Sequence, residues 1–182
     1  MMNSTPKKYL KDNIIPVIQG DYHVTNNPEA MMKCVLGSCV AVCMYDAKSR
    51  IGGMNHFLLP GVGYHNSQEK SCGLNMMELL INGLLRFGAR RKNFEAKIFG
   101  GAHITDGLSD IGAENAEFAR AFLTYEGIPI ISESLGGTHA RRLRFWPSTG
   151  NAKQLKISTT EIDYVNKSAP KIQSISADVE LF

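Results

Sequence analysis

The amino-acid sequence predicts an α/β protein, a single-domain layered sandwich in which at least two helices pack on a mixed, largely antiparallel β-sheet. Short apolar runs of strand length alternate with two longer segments whose apolar residues recur every three or four positions. Hydrophobic residues make up 43% of the 182-residue chain and charged residues 20%, which is typical of a domain that buries a core. The length suits one domain rather than two.

Two β-hairpins are predicted. In the first, residues 40–45 are a continuous apolar run, residues 46–49 form a polar turn, and residues 52–59 resemble a second strand. Pro60 ends this strand because proline lacks the amide donor that a β-ladder needs. The second hairpin is centred on the turn-forming residues 147–151.

Two amphipathic helices are predicted between these hairpins. Residues 74–87 carry leucine, methionine and isoleucine at helical spacing and stop at Gly88, with Ser71 as a candidate N-cap. Residues 112–126 carry alanine, phenylalanine and leucine on one face and stop at Gly127.

A strand over residues 94–99 precedes Gly100 and Gly101, and a further strand begins near residue 128. The two glycines permit a close backbone approach or a positive φ. They form a weak candidate for a phosphate-binding loop, because the spacing and lysine of such a loop are missing. Close packing is therefore the better interpretation.

The ends of the chain are predicted to lie outside the main domain. We expect an N-terminal arm over residues 1–20, a folded domain over 21–158, and a partly disordered C-terminal tail over 159–182. No apolar run reaches the roughly 18 residues of a membrane helix, and the polar start lacks a signal-peptide region, so we expect a cytoplasmic protein without direct membrane insertion. The net charge of +3 is too small to indicate nucleic-acid binding.

Cys39 and His56 are the residues that suggest chemistry. Cys39 follows a glycine-bearing turn, 36–38, at the entrance to a buried strand, where unpaired backbone amides can hold an oxyanion. With the first hairpin centred between residues 47 and 48, the antiparallel register places Cys39 directly opposite His56. A thiol and an imidazole this close can exchange a proton, and an imidazolium would lower the pKa of the thiol.

Plainer interpretations of the same residues remain open. Cysteine is among the most buried residue types, and a lone histidine in a strand is usually structural. A zinc site is another interpretation, but Cys34, Cys39 and Cys43 lack the spacing of a CxxC pair. We therefore expect no metal, and we expect the four cysteines of the chain to be reduced thiols.

Several motifs, in this order, resemble the CheD family of chemoreceptor glutamine deamidases. The first three are LGSCVAV at 36–42, MNHFLLP at 54–60 and KIFGGA at 97–102, and similar motifs continue to residue 150. The resemblance implies an α/β sandwich similar to toxin-type deamidases, covering about residues 20–158. It also implies a cysteine hydrolase that needs no cofactor, with Cys39 as nucleophile and His56 as general base and acid.

The resemblance also implies partners, and the residues themselves suggest candidates for supporting roles. The substrates would be glutamines in the cytoplasmic helical region of methyl-accepting chemotaxis receptors, with receptor methylesterase activity as a second reaction and a CheC-type phosphatase as a further partner. The residues expected to support the site or its oxyanion are Gly37, Ser38, Asn55, Gly100 and Gly101. The residues expected to meet an acidic receptor surface are Arg141, Arg142 and Arg144.

The third member of the catalytic group is left open by the sequence. The family pattern usually has a threonine five or six residues before the cysteine, where this chain has Lys33 and Cys34. Ser38, Asn55 or a backbone carbonyl could orient His56 instead. The missing threonine motivates a second hypothesis, a chemotaxis binding module without catalysis, and a third is a cysteine amidase or peptidase with another substrate.

Overall fold

The computed structural model describes residues 13–59, 67–104, 111–157 and 179–182. The predicted α/β class is confirmed, with mostly antiparallel strand pairs and two helices in the described ranges. The strands, however, form two five-stranded sheets rather than one.

Each sheet combines strands from distant parts of the chain. Sheet I has, in spatial order, β1 (Ile14–Pro16), β3 (Met31–Leu36), β8 (Ala140–Trp146), β9 (Asn151–Ile157) and β10 (Val179–Leu181). Sheet II has β2 (Tyr22–Thr25), β5 (Ile51–Phe57), β4 (Val40–Asp46), β6 (Phe94–Gly100) and β7 (Ile130–Leu135). The helices are α1 (Ser67–Arg86), α2 (Ile111–Tyr125) and a short 3-10 turn, Arg91–Asn93.

The layers explain the sequence patterns. One core cluster joins sheet II to α1 and α2, and a second joins the opposite face of sheet II to sheet I. Sheet II is thus covered on both faces, so every residue of β4 and β5 is buried and β4 is apolar almost throughout. Strand β3 of sheet I alternates buried and exposed positions because its outer face is open to solvent.

The predicted elements are largely confirmed. Strands β4 and β5 form the first hairpin, and β8 and β9 form the second. Helix α2 agrees with its predicted bounds to one residue, whereas α1 begins seven residues before residue 74. Ser71 therefore lies inside α1, and its prediction as N-cap is wrong because the helix continues N-terminal of the apolar repeat.

Parts of the predicted arm and tail belong to sheet I. Strand β1 runs parallel to β3, and β10 pairs antiparallel with β9. Residues 1–12, Pro60 and residues 158–178 lie outside the described residues.

Candidate active site

The first hairpin brings Cys39 and His56 together. The distance between Cys39 Sγ and His56 Nε2 is 3.0 Å. The predicted register is nevertheless wrong by two residues, because Ala41 rather than Cys39 lies opposite His56. A four-residue turn at 47–50 moves the centre of the hairpin toward the C-terminus. Strand side chains repeat with a period of two, so Cys39 stays on the same face and meets the histidine diagonally.

A backbone carbonyl orients the ring of His56. The Nδ1 atom lies 3.1 Å from the carbonyl oxygen of Val17. A carbonyl only accepts hydrogen bonds, so in the neutral ring Nδ1 carries the proton and the lone pair of Nε2 faces the thiol. The Val17 amide donates to the carbonyl of Lys33 at 2.9 Å, and this hydrogen bond fixes Val17 beside β3.

The side chains considered for the third catalytic group are engaged or placed elsewhere. The Asn55 side chain accepts from the Val42 amide at 3.1 Å and donates to the carbonyl of Met76, on the helix side of sheet II. Lys33 is exposed on the outer face of sheet I, and Cys34 is buried between the sheets. Ser38 accepts a hydrogen bond from Asn115 Nδ2 through its backbone carbonyl rather than its hydroxyl.

Burial favours the uncharged forms of Cys39 and His56. Burial raises the pKa of the Cys39 thiol, although hydrogen bonds from the backbone amides of Gly37 and Cys39 act in the opposite direction. Burial also lowers the pKa of His56, although its hydrogen bond to Val17 opposes this change. Both shifts favour the neutral forms, and the lowering of the thiol pKa by an imidazolium stays a prediction for the protonated state of His56.

Two glycines hold the backbone that carries Cys39. The Gly101 amide donates to the carbonyl of Cys39 at 2.8 Å, and the Ala102 amide donates to the carbonyl of Gly37 at 2.9 Å. Gly100 has a φ of +113°, and a Cβ atom there would lie 2.2 Å from the Cys39 carbonyl oxygen. The predicted close approach and positive φ are confirmed, and both are needed to seat the 37–39 loop.

Asn115 is a buried residue that sequence reasoning missed. Its Oδ1 accepts from the Leu59 amide at 2.7 Å, and its Nδ2 donates to the carbonyl of Ser38 at 3.1 Å and of Ile111 at 2.8 Å. Leu59 follows the strand of His56, and Ser38 precedes Cys39. Asn115 therefore ties the segments that flank the first hairpin to α2.

The three arginines of the predicted receptor-binding set are not brought together. The buried Arg141 side chain donates from Nη1 to the carbonyl of Gly100 at 3.0 Å and from Nη2 to that of Gly136 at 2.5 Å. Arg142 and Arg144 are exposed on the outer face of sheet I. Strand alternation separates them from Arg141, which supports the turn next to Cys39.

Other chemical features of the described ranges are few. Within them, no group of three histidine, cysteine, aspartate or glutamate side chains is arranged to hold a metal ion. All four cysteines are free thiols, and Cys72 is the exposed one. No helix in the described part of the chain is long and apolar enough to cross a membrane.

Comparisons with known proteins agree on one family. The model of the family described as CheD chemotactic sensory transduction matches residues 58–156. A probable chemoreceptor glutamine deamidase CheD of Caulobacter vibrioides (strain NA1000 / CB15N) is 49% identical over 173 residues, covering 92% of each chain. The protein of the same name from Agrobacterium fabrum is 45% identical over 173 residues, covering 92% of this chain and 96% of the relative.

A solved structure is also similar. The crystal structure of the Bacillus licheniformis hypothetical protein YfiH has a TM-score of 0.41 and 18% identity, covering 63% of this chain and 50% of that chain. The sequence matches extend over nearly the whole chain and include the hairpin of Cys39 and His56 among the residues they span. The chain therefore belongs to the CheD family.

Proposed function

We propose that this protein is a cysteine hydrolase that converts selected glutamine side chains of chemoreceptors to glutamate. The observation that carries the proposal is the 3.0 Å contact between Cys39 Sγ and His56 Nε2, with Nδ1 held by the Val17 carbonyl. A nucleophile, a base and a group that orients the base form the arrangement that covalent hydrolysis requires. The relatives named as probable chemoreceptor glutamine deamidases support the choice of substrate.

The first half of the reaction forms a thioester. Cys39 gives its proton to His56 Nε2 as the sulfur attacks the carbonyl carbon of the glutamine side chain, which forms a C–S bond and an oxyanion. The backbone amides of Gly37 and Cys39, which reach the sulfur, are the donors best placed to stabilise that oxyanion. The imidazolium then protonates the departing nitrogen, and ammonia leaves as the C–N bond breaks.

The second half releases glutamate. His56, again neutral, removes a proton from a water molecule, and the resulting hydroxide attacks the thioester carbon. The C–S bond breaks, and the thiolate regains its proton from the imidazolium. No metal or organic cofactor is needed at any step, and each turnover leaves one new negative charge on the receptor.

The neutral resting pair indicates general-base activation. A preformed thiolate would need a raised histidine pKa and a lowered thiol pKa, whereas both values are shifted in the opposite direction. The proton therefore moves during the attack itself, when the developing oxyanion is stabilised. A receptor glutamate methyl ester can follow the same route with methanol as leaving group, and we include this second reaction in the proposal.

The site of action follows from the substrate. The receptor glutamines would lie in the cytoplasmic helical region, so we place the protein in the cytoplasm. A CheC-type phosphatase is included as a further partner, in keeping with the family. The competing hypothesis of a binding module without catalysis predicts that receptor binding persists without conversion.

The test is mass spectrometry of receptor cytoplasmic fragments incubated with the full-length protein. We expect site-specific glutamine-to-glutamate conversion by the wild type and by Cys72→Ala, which removes an exposed thiol, and no conversion by Cys39→Ala. Conversion that persists in Cys39→Ala would contradict the mechanism. Receptor binding without conversion by the wild type would favour the binding module, and equal conversion of unrelated peptide amides would favour a general amidase.

A further inference from the structure

The main chain of His56 is held by a β-bulge. Strands β2 and β5 pair antiparallel with Tyr22 opposite Asn55, so a regular ladder would place one residue opposite His56. Instead, two residues face it: the Gly20 amide donates to the His56 carbonyl at 2.7 Å, and the His56 amide donates to the Asp21 carbonyl at 3.0 Å. Gly20 has a φ of +87°. A bulge that begins with a glycine in this region is of the G1 type, and bulges next to active sites re-aim side chains.

The bulge is continuous with the turn that follows the ring-orienting carbonyl. The Asp21 amide donates to the Ile18 carbonyl at 3.0 Å, which closes a four-residue turn with Gly20 in the third position. A positive φ at the third position is the signature of a type II turn and favours glycine. Val17, directly before this turn, supplies the carbonyl that lies 3.1 Å from His56 Nδ1. One short segment therefore holds both the main chain and the ring of the histidine.

This segment bridges the two sheets. The Val17 amide is bound to the carbonyl of Lys33 in sheet I at 2.9 Å, whereas the bulge is bound to His56 in sheet II. The separation between the Val17 carbonyl and His56 Nδ1 therefore depends on the turn and the bulge that lie between them in the chain. A rearranged turn changes that separation, and Nδ1 then loses its acceptor.

The conformation of Gly20, rather than its small size, is the property that matters. A Cβ atom built there has no heavy atom within 4 Å, so a side chain would meet no steric obstacle. A φ of +87° is nevertheless uncommon for other residues, least favourable for β-branched ones, and tolerated best among side chains such as asparagine. Gly20→Val can relieve its strain only by leaving the left-handed region, which breaks the turn and the bulge.

We propose that Gly20 is a positioning residue for His56, a proposal that rests on the function proposed above. The G1 bulge that it begins keeps the Val17 carbonyl on Nδ1, and this contact directs the lone pair of Nε2 at Cys39 Sγ, 3.0 Å away. Without that acceptor, the neutral ring also populates the tautomer with the proton on Nε2. In that tautomer Nε2 cannot accept the thiol proton, so the attack on the receptor glutamine is blocked.

The first experiment compares substitutions of Gly20 in the full-length protein, with conversion of receptor cytoplasmic fragments followed by mass spectrometry. We expect kcat to fall about 10²-fold in Gly20→Val, as for other misplaced catalytic groups, less in Gly20→Ala and least in Gly20→Asn. Gly88→Val is the matched control, because Gly88 has a φ of +97° and equally open surroundings but lies after α1. Its kcat should stay near the wild-type value.

The kinetic comparison can overturn the proposal in two ways. A kcat that falls as far in Gly88→Val as in Gly20→Val does so, and so does full activity of Gly20→Val. If Gly20→Val does not fold, the two milder variants decide the question, and a kcat for Gly20→Ala no lower than that for Gly20→Asn overturns the proposal.

The ring spectrum of His56 separates positioning from a general loss of structure. In isotope-labelled protein, nitrogen NMR reports which ring nitrogen carries the proton, and the signals of His56 among the five histidines are identified by their absence in His56→Gln. Above the ordinary histidine pKa we expect Nδ1 to be protonated in the wild type and in Gly88→Val, and Nε2 to carry much of the proton in Gly20→Val. A wild-type spectrum for Gly20→Val overturns the proposal, whatever its kcat.

This measurement needs no turnover, so it separates the positioning role from the proposed function. Absence of conversion by the wild type overturns the proposed function, and the comparison of tautomers then decides whether Gly20 positions His56. Conversion by the wild type together with an unchanged tautomer in Gly20→Val overturns the positioning role and leaves deamidation intact.

Discussion

Gly100→Ala tests whether close packing behind Cys39 positions the nucleophile. The new Cβ atom would lie 2.2 Å from the Cys39 carbonyl oxygen, so the two backbones must separate by about 0.8 Å to reach the 3.0 Å below which real Cβ contacts essentially do not occur. Misplacement of a catalytic group by about 1 Å can lower a rate about 10²-fold. We therefore expect kcat for receptor conversion to fall about 10²-fold in this variant.

A matched control separates the displacement from backbone strain. Gly100 has a φ of +113°, and Gly88, after α1, has a φ of +97° with no heavy atom within 4 Å of a built Cβ. A side chain in this φ region costs about 1–3 kcal/mol of stability at either position. Gly88→Ala should therefore lose a similar amount of unfolding free energy from strain alone, while its kcat stays near the wild-type value.

The assay combines urea denaturation with single-turnover mass spectrometry, both at a temperature at which each variant is folded. Gly100→Ala should lose more stability than Gly88→Ala, since overpacking adds about 1–3 kcal/mol to the strain. A kcat for Gly100→Ala within twofold of that for Gly88→Ala would refute the reasoning, because the nucleophile loop would then have absorbed the shift without losing its geometry.

Three further predictions concern the support and the charge state of the site. Arg141→Lys should lower kcat about tenfold or more, because one ammonium group cannot bridge two carbonyls as a guanidinium does, while the exposed Arg142→Lys leaves kcat unchanged in the same assay. Asn115→Ala should lower the unfolding free energy by about 2 kcal/mol in urea denaturation, because the half-buried amide of Leu59 loses its acceptor and the buried amide side chain of Asn115 is removed; an unchanged midpoint would argue against this role. Because burial raises the pKa of Cys39, its alkylation by iodoacetamide should be slow at pH 7 and should still accelerate above the ordinary thiol pKa, with the exposed Cys72 as internal reference in peptide mass spectrometry. A rate that is already maximal near neutral pH would contradict the neutral resting pair.

The hairpin could be predicted from sequence because its signals are local. Apolar runs of strand length and a polar turn predict two paired strands, and the period of two predicts which side chains share a face. The register error of two residues therefore kept Cys39 and His56 on one face. An error of one residue would have placed Asn55 there instead, and the pair would have been missed.

The sequence indicates the burial of Arg141 and Asn115 only weakly. Arg141 has the same strand parity as Leu143 and Phe145, which are buried, so alternation alone would have turned it inward. Asn115 lies four residues before Ala119 on the apolar face of α2. In both cases the position in the pattern indicates burial, whereas the residue type indicates exposure, because arginine and asparagine usually lie at the surface. Their long-range partners, Gly100, Gly136 and Leu59, depend on the tertiary fold.

The orienting group of His56 could not be found by inspecting side chains, because any residue can supply a backbone carbonyl. Val17 is held in place by the hydrogen bond that its amide donates to the Lys33 carbonyl. Lys33, which lies where the family usually has threonine, therefore contributes through its backbone while its side chain faces solvent. A carbonyl fixes the tautomer and the ring plane as an acidic side chain would, but it carries no full charge to stabilise an imidazolium. Burial lowers the pKa of His56, and the hydrogen bond to the Val17 carbonyl opposes this change without reversing it. The catalytic unit that we propose therefore includes Val17 of the predicted arm, whose carbonyl holds the ring of His56 with Nε2 toward the thiol.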